Sequence, residues 1–363
     1  MRIVMVNPFH YPFLGGIEHR IHHVSKRLAR RHDVYVVTGQ LPGTKNVEEI
    51  DGYQVIRLPS KFVNIYNPPA IFTRGVGAIL KQLDPDIIDF HYRWAPGYTK
   101  SVLSIDAKKI FTWHNAFGEG DGAIRALSII NDMVFARHVS SFDRIICVSN
   151  FVAEDLLLRG FPPELLAVAP NGVELPSKEK IGKEEDYILF IGRLVRTKGL
   201  RYLIKAMRDV DGKLIICGSG PQLKQLRSIA VRNDLQKKIS FTGRISEESK
   251  NEFLAKCMLF VMPSLIESYG IAAAEAMSYG KPVIGTRVGG LPEVIGDGGI
   301  IVRPRDPDAL ARSINLLIES DDLRKELGRK ARERAEGFSW DTIAEKVEGI
   351  YGACVHERSG LLK

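Results

Sequence analysis

The chain has 363 residues, 45% hydrophobic and 26% charged, with 51 Lys and Arg against 43 Asp and Glu for a formal net charge of +8. That length favours two domains over one core, and the composition excludes a disordered or fibrous chain. The positive balance points to phosphates or acidic lipid surfaces, and the lack of a nucleic-acid-binding motif or aromatic–basic stacking pattern excludes nucleic acid as the expected partner. No run approaches the ~18 apolar residues that would span a bilayer. The N-terminus enters a strand-like run at Arg2–Asn7 rather than a signal peptide. Cys147, Cys217, Cys257 and Cys354 are scattered without metal spacing, so a reduced, cytoplasmic protein is expected.

Short β-branched runs alternate with longer amphipathic segments, the pattern of parallel sheets with crossover helices. The first half predicts strands at Ile3–Val6, Val34–Thr38, Val55–Leu58, Ile87–Phe90, Lys109–Trp113 and Arg144–Val148. The second half predicts them at Ile188–Ile191, Lys213–Cys217, Ile239–Phe241, Leu259–Met262, Val283–Thr286 and Gly299–Val302. The charged, strand-poor stretch Pro176–Asp186 reads as a linker between domains over 1–175 and 187–337. The fold class is therefore α/β, two doubly wound domains, with ligands expected at the carboxyl ends of the strands. The tail from Trp340 to Tyr351 reads as a helix.

In the first half, Pro12-Phe13-Leu14-Gly15-Gly16-Ile17-Glu18 follows a strand and opens a helix. Paired glycines let backbone approach a phosphate closely, and a helix N-terminus then faces it. The helix expected from Glu18 to His32 carries Ile17, Ile21, Val24 and Leu28 on one face and Arg20, Lys26, Arg27, Arg30 and Arg31 elsewhere. Its basic face, with the aromatic loop Lys61–Pro69, makes peripheral contact with an anionic membrane one candidate property; ordinary solvated charge is the bland alternative. His19, His22 and His23 lie on that helix without a carboxylate pattern and are expected on its surface. His91 and His114 end apolar strands, and His114 is the stronger site candidate because it is polar at a strand terminus. Beside it, Asn115 and the acidic loop Gly118–Gly122 offer Glu119 and Asp121 to orient a hydroxyl, although Asp121 suits a helix cap better.

In the second half, Ile188–Ile191 runs into Gly192-Arg193-Leu194, and Lys198-Gly199-Leu200 opens the next helix. An arginine fork and a lysine point charge at a strand end form a cationic clamp for two phosphates. A lysine in a first helical turn opposes the helix dipole, so an anion is expected to compensate it. Gly218-Ser219-Gly220-Pro221 fails the dinucleotide fingerprint, because the third glycine would fall at Leu223. Asp209-Val-Asp211 invites a metal reading, but its place beside Gly212 suits a turn. Glu267 and Glu275 stand eight positions apart in Pro263-Ser-Leu-Ile-Glu-Ser-Tyr-Gly-Ile-Ala-Ala-Ala-Glu, followed by Gly289-Gly290-Leu291-Pro292-Glu293. If the intervening segment is mostly helical, the carboxylates lie roughly 12 Å apart along its axis, the span of a ligand with hydroxyls at both ends and phosphates between.

With its flanking Pro-Ser, Ser-Tyr-Gly and Gly-Gly-Leu-Pro-Glu, this segment resembles the glutamate signature of the family-4 retaining glycosyltransferases, also called glycosyl transferases group 1. The resemblance covers nearly the whole chain and is most specific from Ile188 to Ile295. It implies the GT-B fold, two Rossmann-like domains facing a central cleft, with an acceptor-binding first domain onto which a C-terminal helix, 338–363, packs back. By resemblance, His114, Glu267, Arg193 and Lys198 carry the catalytic work. The donor is met by Gly15, Gly16, Gly218, Gly243, Arg244, Ile245, Ser268, Tyr269, Gly270, Ile271 and Glu275. Of these, Glu275 holds ribose and the turn at Phe241–Ile245 brackets the base. Acceptor-side candidates are Glu18, His91, Asn115, Glu119, Asp121, Ser149 and Asn171. The implied reaction moves a hexose from a UDP- or GDP-sugar to a hydroxyl acceptor, lipid-linked acceptors included. No cofactor or metal is expected, because the arginine and lysine neutralise the departing diphosphate. A nucleotide-sugar 2-epimerase, a pyridoxal-phosphate phosphorylase and a silent nucleotide-sugar-binding protein are the alternatives.

Overall fold

Continuous apolar runs bounded by glycines and polar residues form short strands buried on both faces, which only a sheet covered on both sides can house. The computed structural model describes residues 1–63, 69–119, 123–177, 179 and 182–360. Its first ten strands are β1 (Arg2–Val6), β2 (Asp33–Gly39), β3 (Val47–Ile50), β4 (Tyr53–Leu58), β5 (Ser60–Val63), β6 (Ala70–Thr73), β7 (Ile87–Phe90), β8 (Lys108–Trp113), β9 (Arg144–Cys147) and β10 (Leu166–Val168). The next six are β11 (Ile188–Ile191), β12 (Leu214–Cys217), β13 (Ile239–Gly243), β14 (Leu259–Met262), β15 (Val283–Thr286) and β16 (Gly299–Val302).

Two compact units result: residues 1–171 with 340–363, and residues 172–339. In the first, an eight-stranded sheet has the order β10-β9-β8-β7-β1-β2-β4-β3. Its pairings are parallel apart from β3 on β4, where the half-polar edge strand Val-Glu-Glu-Ile runs antiparallel. In the second, a six-stranded parallel sheet has the order β13-β12-β11-β14-β15-β16. Each sheet reverses its winding once, between β1 and β7 in the first and between β11 and β14 in the second. Such reversal points are where doubly wound sheets open a crevice at the strand ends.

The division of the chain lies ahead of the expected linker. Val173 N–H donates to the carbonyl of Phe338 at 2.8 Å and Val173 bridges Ser339, so the chain enters and leaves the second unit side by side. Glu185 N–H in turn donates to the Lys256 carbonyl at 2.7 Å. The compact second unit thus begins at Gly172, and Glu185 is tied into it. The tail helix, Trp340–Gly360, returns to the first unit and runs beyond the expected Tyr351. Trp340, Ile343, Val347, Tyr351 and Cys354 complete a core with Ile3, Met5, Val36 and the helix Gly16–Leu28.

The cations of the basic helix face are paired with carboxylates. Arg27 and Arg30 both bind Asp341 at 3.1 Å, Arg31 binds Glu348 at 2.6 Å and Lys26 binds Asp51 at 3.1 Å. Arg20 is buried, with its guanidinium on the Pro170 carbonyl and Asn171. The cations neutralise the acidic face of the tail helix and an adjacent turn. The three histidines are not a bare helix surface either. His23 stacks on Trp340 with centroids 5.0 Å apart and planes 5° apart, and Tyr53 shares 2.9 Å hydrogen bonds with His22 and His10. In place of the expected aromatic loop, residues 60–63 and 70–73 form an antiparallel hairpin; residues 64–68 lie outside the described residues. Among the described residues no helix is long and apolar enough to cross a membrane.

Candidate functional site

At the reversal point of the second sheet, β11 delivers Gly192-Arg193-Leu194 and β14 delivers Pro263-Ser264. The chain after β11 makes a 3-10 turn, Arg196–Lys198, closed by Gly199 in the left-handed region at φ +66. A side chain at Gly199 would run into the carbonyl of Pro263, so glycine is required by both conformation and space. The turn is tied to the second strand end by Leu265 N–H, which donates to the Thr197 carbonyl at 2.6 Å. This clamps Lys198 over Glu267: Nζ stands 2.6 Å from Oε2, and Ser264 Oγ donates to the same oxygen at 3.2 Å. The anion expected to compensate Lys198 is therefore Glu267. Lys198 itself precedes the helix Leu200–Ala206 instead of lying in its first turn. Arg193 is exposed, and its side chain has no ion-pair partner among the described residues.

The segment between the two glutamates is only partly helical. Gly270, at φ +106, caps a helix that spans Ile271–Ser278, leaving Glu267–Tyr269 as a loop. The 12 Å axial spacing therefore does not hold, because a left-handed glycine cannot continue a right-handed helix. Ala273, Ala274 and Ala276 are fully buried, which explains the alanine run as close helix packing. Glu275 emerges half-buried and is held by Lys250 of the helix Glu247–Lys256 at 2.7 Å. Burial opposes the Lys250 charge, but Glu275 and Glu247 outweigh that and hold its pKa above the ordinary lysine range. Each signature glutamate thus has its own lysine. Lys250 carried no signal in its polar, charge-rich helix.

The glycine positions separate into two kinds. Gly218, at φ +143, and Gly220, at φ +157, lie where a side chain would strike the Gly192 and Leu194 backbones, so they permit two strand-end loops to touch. Gly218, a donor-side candidate, has its position accounted for by this packing. Gly243 is at φ +78 with open space around its missing side chain, beside exposed Arg244 and half-buried Ile245. Ser268 and Tyr269 are buried, Tyr269 edge-on to Phe338 at 6.4 Å.

At the reversal point of the first sheet, β1 runs into Asn7 and β7 into His91. Asn7 Nδ2 donates to Glu18 Oε1 at 3.1 Å. Burial pushes the Glu18 carboxyl up to about 7, against the pull of its backbone and Asn7 hydrogen bonds. A side chain at Gly15 would meet the Glu18 carboxylate, so the N-terminus expected to face a phosphate is faced by the acid of its own first turn. Nδ1 of His91 and Nε2 of His114 share a hydrogen bond at 3.1 Å. Burial lowers the His91 pKa to about 4, and burial with His91, Arg20 and Arg93 nearby puts that of His114 well below the ordinary histidine value. Asn115 donates to Glu119 at 3.2 Å; Asp121 lies outside the described residues. Ser149, expected on the acceptor side, is buried and caps the helix Asn150–Leu157 by accepting from Val152 N–H at 3.1 Å. Asn171 is buried against Arg20 at 3.4 Å. Sequence reading missed Asp89, an acid inside the apolar strand Ile-Ile-Asp-Phe, where a charge among buried positions was the available signal.

The fold is that of the GT-B glycosyltransferases. The structure superposes on sucrose-phosphate synthase from Thermosynechococcus elongatus with a TM-score of 0.81 at 22% identity, covering 97% of this chain and 98% of that one. It superposes on Anabaena HepE in complex with UDP-glucose with a TM-score of 0.81 at 20% identity, covering 97% and 100%. Residues 14–176 match the model for Glycosyltransferase Family 4 and residues 173–334 the model for Glycosyl transferases group 1. An uncharacterized glycosyltransferase of Methanocaldococcus jannaschii is 31% identical over 358 residues, covering 96% of this chain and 97% of that protein. The gpi3 subunit of phosphatidylinositol N-acetylglucosaminyltransferase from Schizosaccharomyces pombe is 26% identical, covering 98% of this chain and 81% of that protein. This chain belongs to the family-4 glycosyltransferases and is a glycosyltransferase.

Proposed function

We propose that this protein is a metal-independent, retaining hexosyltransferase that moves a glucose- or mannose-type sugar from a UDP- or GDP-sugar to a hydroxyl acceptor. The observation that carries this reading is the Lys198–Glu267 pair at 2.6 Å, set at the winding reversal of the second sheet. There Arg193 and Lys198 hold the departing diphosphate, and Glu267 meets hydroxyls of the transferred sugar. Glu275, oriented by Lys250, takes the ribose. The backbone at Gly243, Arg244 and Ile245 brackets the base, and the amides from Ser268 to Ile271 meet sugar and phosphate. The bond from the anomeric carbon to the diphosphate breaks as the bond to the acceptor oxygen forms on the same face. The acceptor proton passes to a diphosphate oxygen, and fixed cations stabilise the charge that develops there. His114 reads a sugar hydroxyl.

The nucleotide assignment draws support from the UDP and UDP-glucose bound to HepE. An N-acetylglucosamine donor and a phosphatidylinositol-type acceptor draw support from the names of the Schizosaccharomyces pombe and Arabidopsis thaliana relatives. Work at a cytoplasmic membrane face would accord with such an acceptor.

A thermal-shift panel of UDP-, GDP- and ADP-sugars, each with and without chelator, tests the donor. One donor at 100 times its Kd should stabilise the protein by ~2.7 kcal/mol regardless of chelator. No shift with any nucleotide sugar would overturn the reading, as would a shift abolished by chelator for its metal independence. Product analysis showing an epimerised donor without transfer would favour the epimerase instead.

A further inference from the structure

Behind His114 lies a line of buried polar groups that the reaction as proposed does not use. Asp89 is buried in β7 and accepts from two hydroxyls: Thr112 Oγ1 of β8 at 2.8 Å and Tyr351 of the tail helix at 2.5 Å. Burial, together with Asp89 beside it, holds the Tyr351 phenol well above its ordinary pKa, so it stays a donor. Two O–H donors leave an acceptor-only carboxylate in a fixed orientation. Its Oδ2 stands 3.6 Å from Nε2 of His91, a buried ring nitrogen with no hydrogen-bond partner. That separation is too long for a hydrogen bond. It is short enough, in a dry interior, that an N–H facing the carboxylate is favoured over a lone pair facing it. The opposite ring nitrogen of His91 is the one bonded to His114 Nε2.

We propose that Asp89 is a positioning residue for His114, acting through His91 by fixing the tautomer of both rings. The carboxylate draws the His91 proton to Nε2 and leaves Nδ1 a lone pair. One of the two atoms in the His91–His114 hydrogen bond must carry a proton, so His114 is protonated at Nε2. Its Nδ1 is then an acceptor only, matched to a hydroxyl that donates. Arg20 disfavours a second proton on either ring, and Arg93 disfavours one on His114. The tail helix matters to this chemistry because Tyr351 is one of the two groups that hold Asp89 still. The assignment of His114 to a sugar hydroxyl rests on the proposed function; the tautomer does not.

The test is a two-bond proton–nitrogen spectrum of the full chain labelled with 15N-histidine, with the nine histidine signals assigned by His91→Gln and His114→Gln. In the native protein at pH 7, both rings should be neutral and protonated at Nε2. In Asp89→Asn, with the amide nitrogen in the place of Oδ2, Thr112 keeps the side-chain carbonyl, Tyr351 turns to accept one amide N–H and the other N–H faces His91 Nε2, so both rings should reverse to Nδ1–H. Tyr351→Phe, which leaves the charge in place, should keep the Nε2–H form with broader signals. His114 protonated at Nδ1 in the native protein overturns the proposal without any variant, and so does an unchanged tautomer in a folded Asp89→Asn. Turnover of UDP-glucose or the donor selected by the thermal-shift panel is measured alongside, with about a tenfold loss of kcat and little change in KM expected for Asp89→Asn. A reversed tautomer with unaltered turnover would leave the relay standing and overturn the contact between His114 and the sugar.

Discussion

The two strand-end clusters handle charge in opposite ways. In residues 172–339, Lys198 faces Glu267 and Lys250 faces Glu275, each pair partly exposed and each 2.6–2.7 Å apart. In the first unit, His91 and His114 are driven neutral by burial, and Glu18 is pushed up to about 7. On the proposed function the cluster of residues 172–339 holds a diphosphate, and cations within water's reach suit that task. A cluster that reads neutral hydroxyls is better served by uncharged donors and acceptors with fixed tautomers. The same strand-end architecture supplies both environments; the depth of the side chains below the surface decides which one results.

The contrast can be broken most directly at Lys198. Lys198→Ala should lower kcat by about 10²–10³-fold, the cost of losing one group that stabilises transition-state charge. A steady-state assay that finds less than a threefold loss would remove Lys198 from the chemistry.

Next in size is the pH response of the first unit. The folded pKa of His91, lowered to about 4, lies below its ordinary 6.5. Its contribution is therefore present above pH 6.5 and is lost as pH falls toward 4, on the order of 3 kcal/mol. Glu18 has the opposite sign, because its folded pKa of about 7 lies above the ordinary 4.5, so its contribution falls as pH rises through that window. Glu18→Gln should thus make stability rise more steeply between pH 5 and pH 7 than in the native chain. Urea unfolding at three pH values measures this, and a shallower slope would contradict the burial argument.

At Glu275, Glu275→Ala should weaken nucleotide binding about 10- to 100-fold, the scale of a charge-assisted hydrogen bond. Lys250→Met should have a smaller effect in the same direction. Calorimetry with UDP and GDP would show whether the lysine matters only through the glutamate. The smallest effect is expected at Ser149. Ser149→Ala should cost about 1 kcal/mol of stability through the lost cap and leave KM for donor and acceptor unchanged. A changed KM would return Ser149 to the acceptor side.

Much of the fold was legible because buried parallel strands need unbroken apolar runs, and β1, β7, β11, β14, β15 and β16 stand where those runs predict. The strands that escaped notice were β3, β5, β6 and β10, edge or hairpin strands of three or four residues, of which β3 and β5 are half-polar and resemble loop. Glu267, Glu275, Arg193 and Lys198 were visible in one dimension because a strand end, a glycine turn and the next helix are contiguous in sequence. What local pattern could not supply was pairing across distance. Lys198 meets Glu267 only after the sheet brings separate strand ends together, and Lys250 meets Glu275 only after two helices come together. The return of the tail helix was implied by family likeness, but its consequences for Arg27, Arg30, Arg31 and Asp89 were not, since Asp341, Glu348 and Tyr351 lie some three hundred positions away in the chain. Hydrophobic periodicity is a local property and survives in the sequence alone; the depth of a side chain and the identity of its charged neighbour arise only from packing.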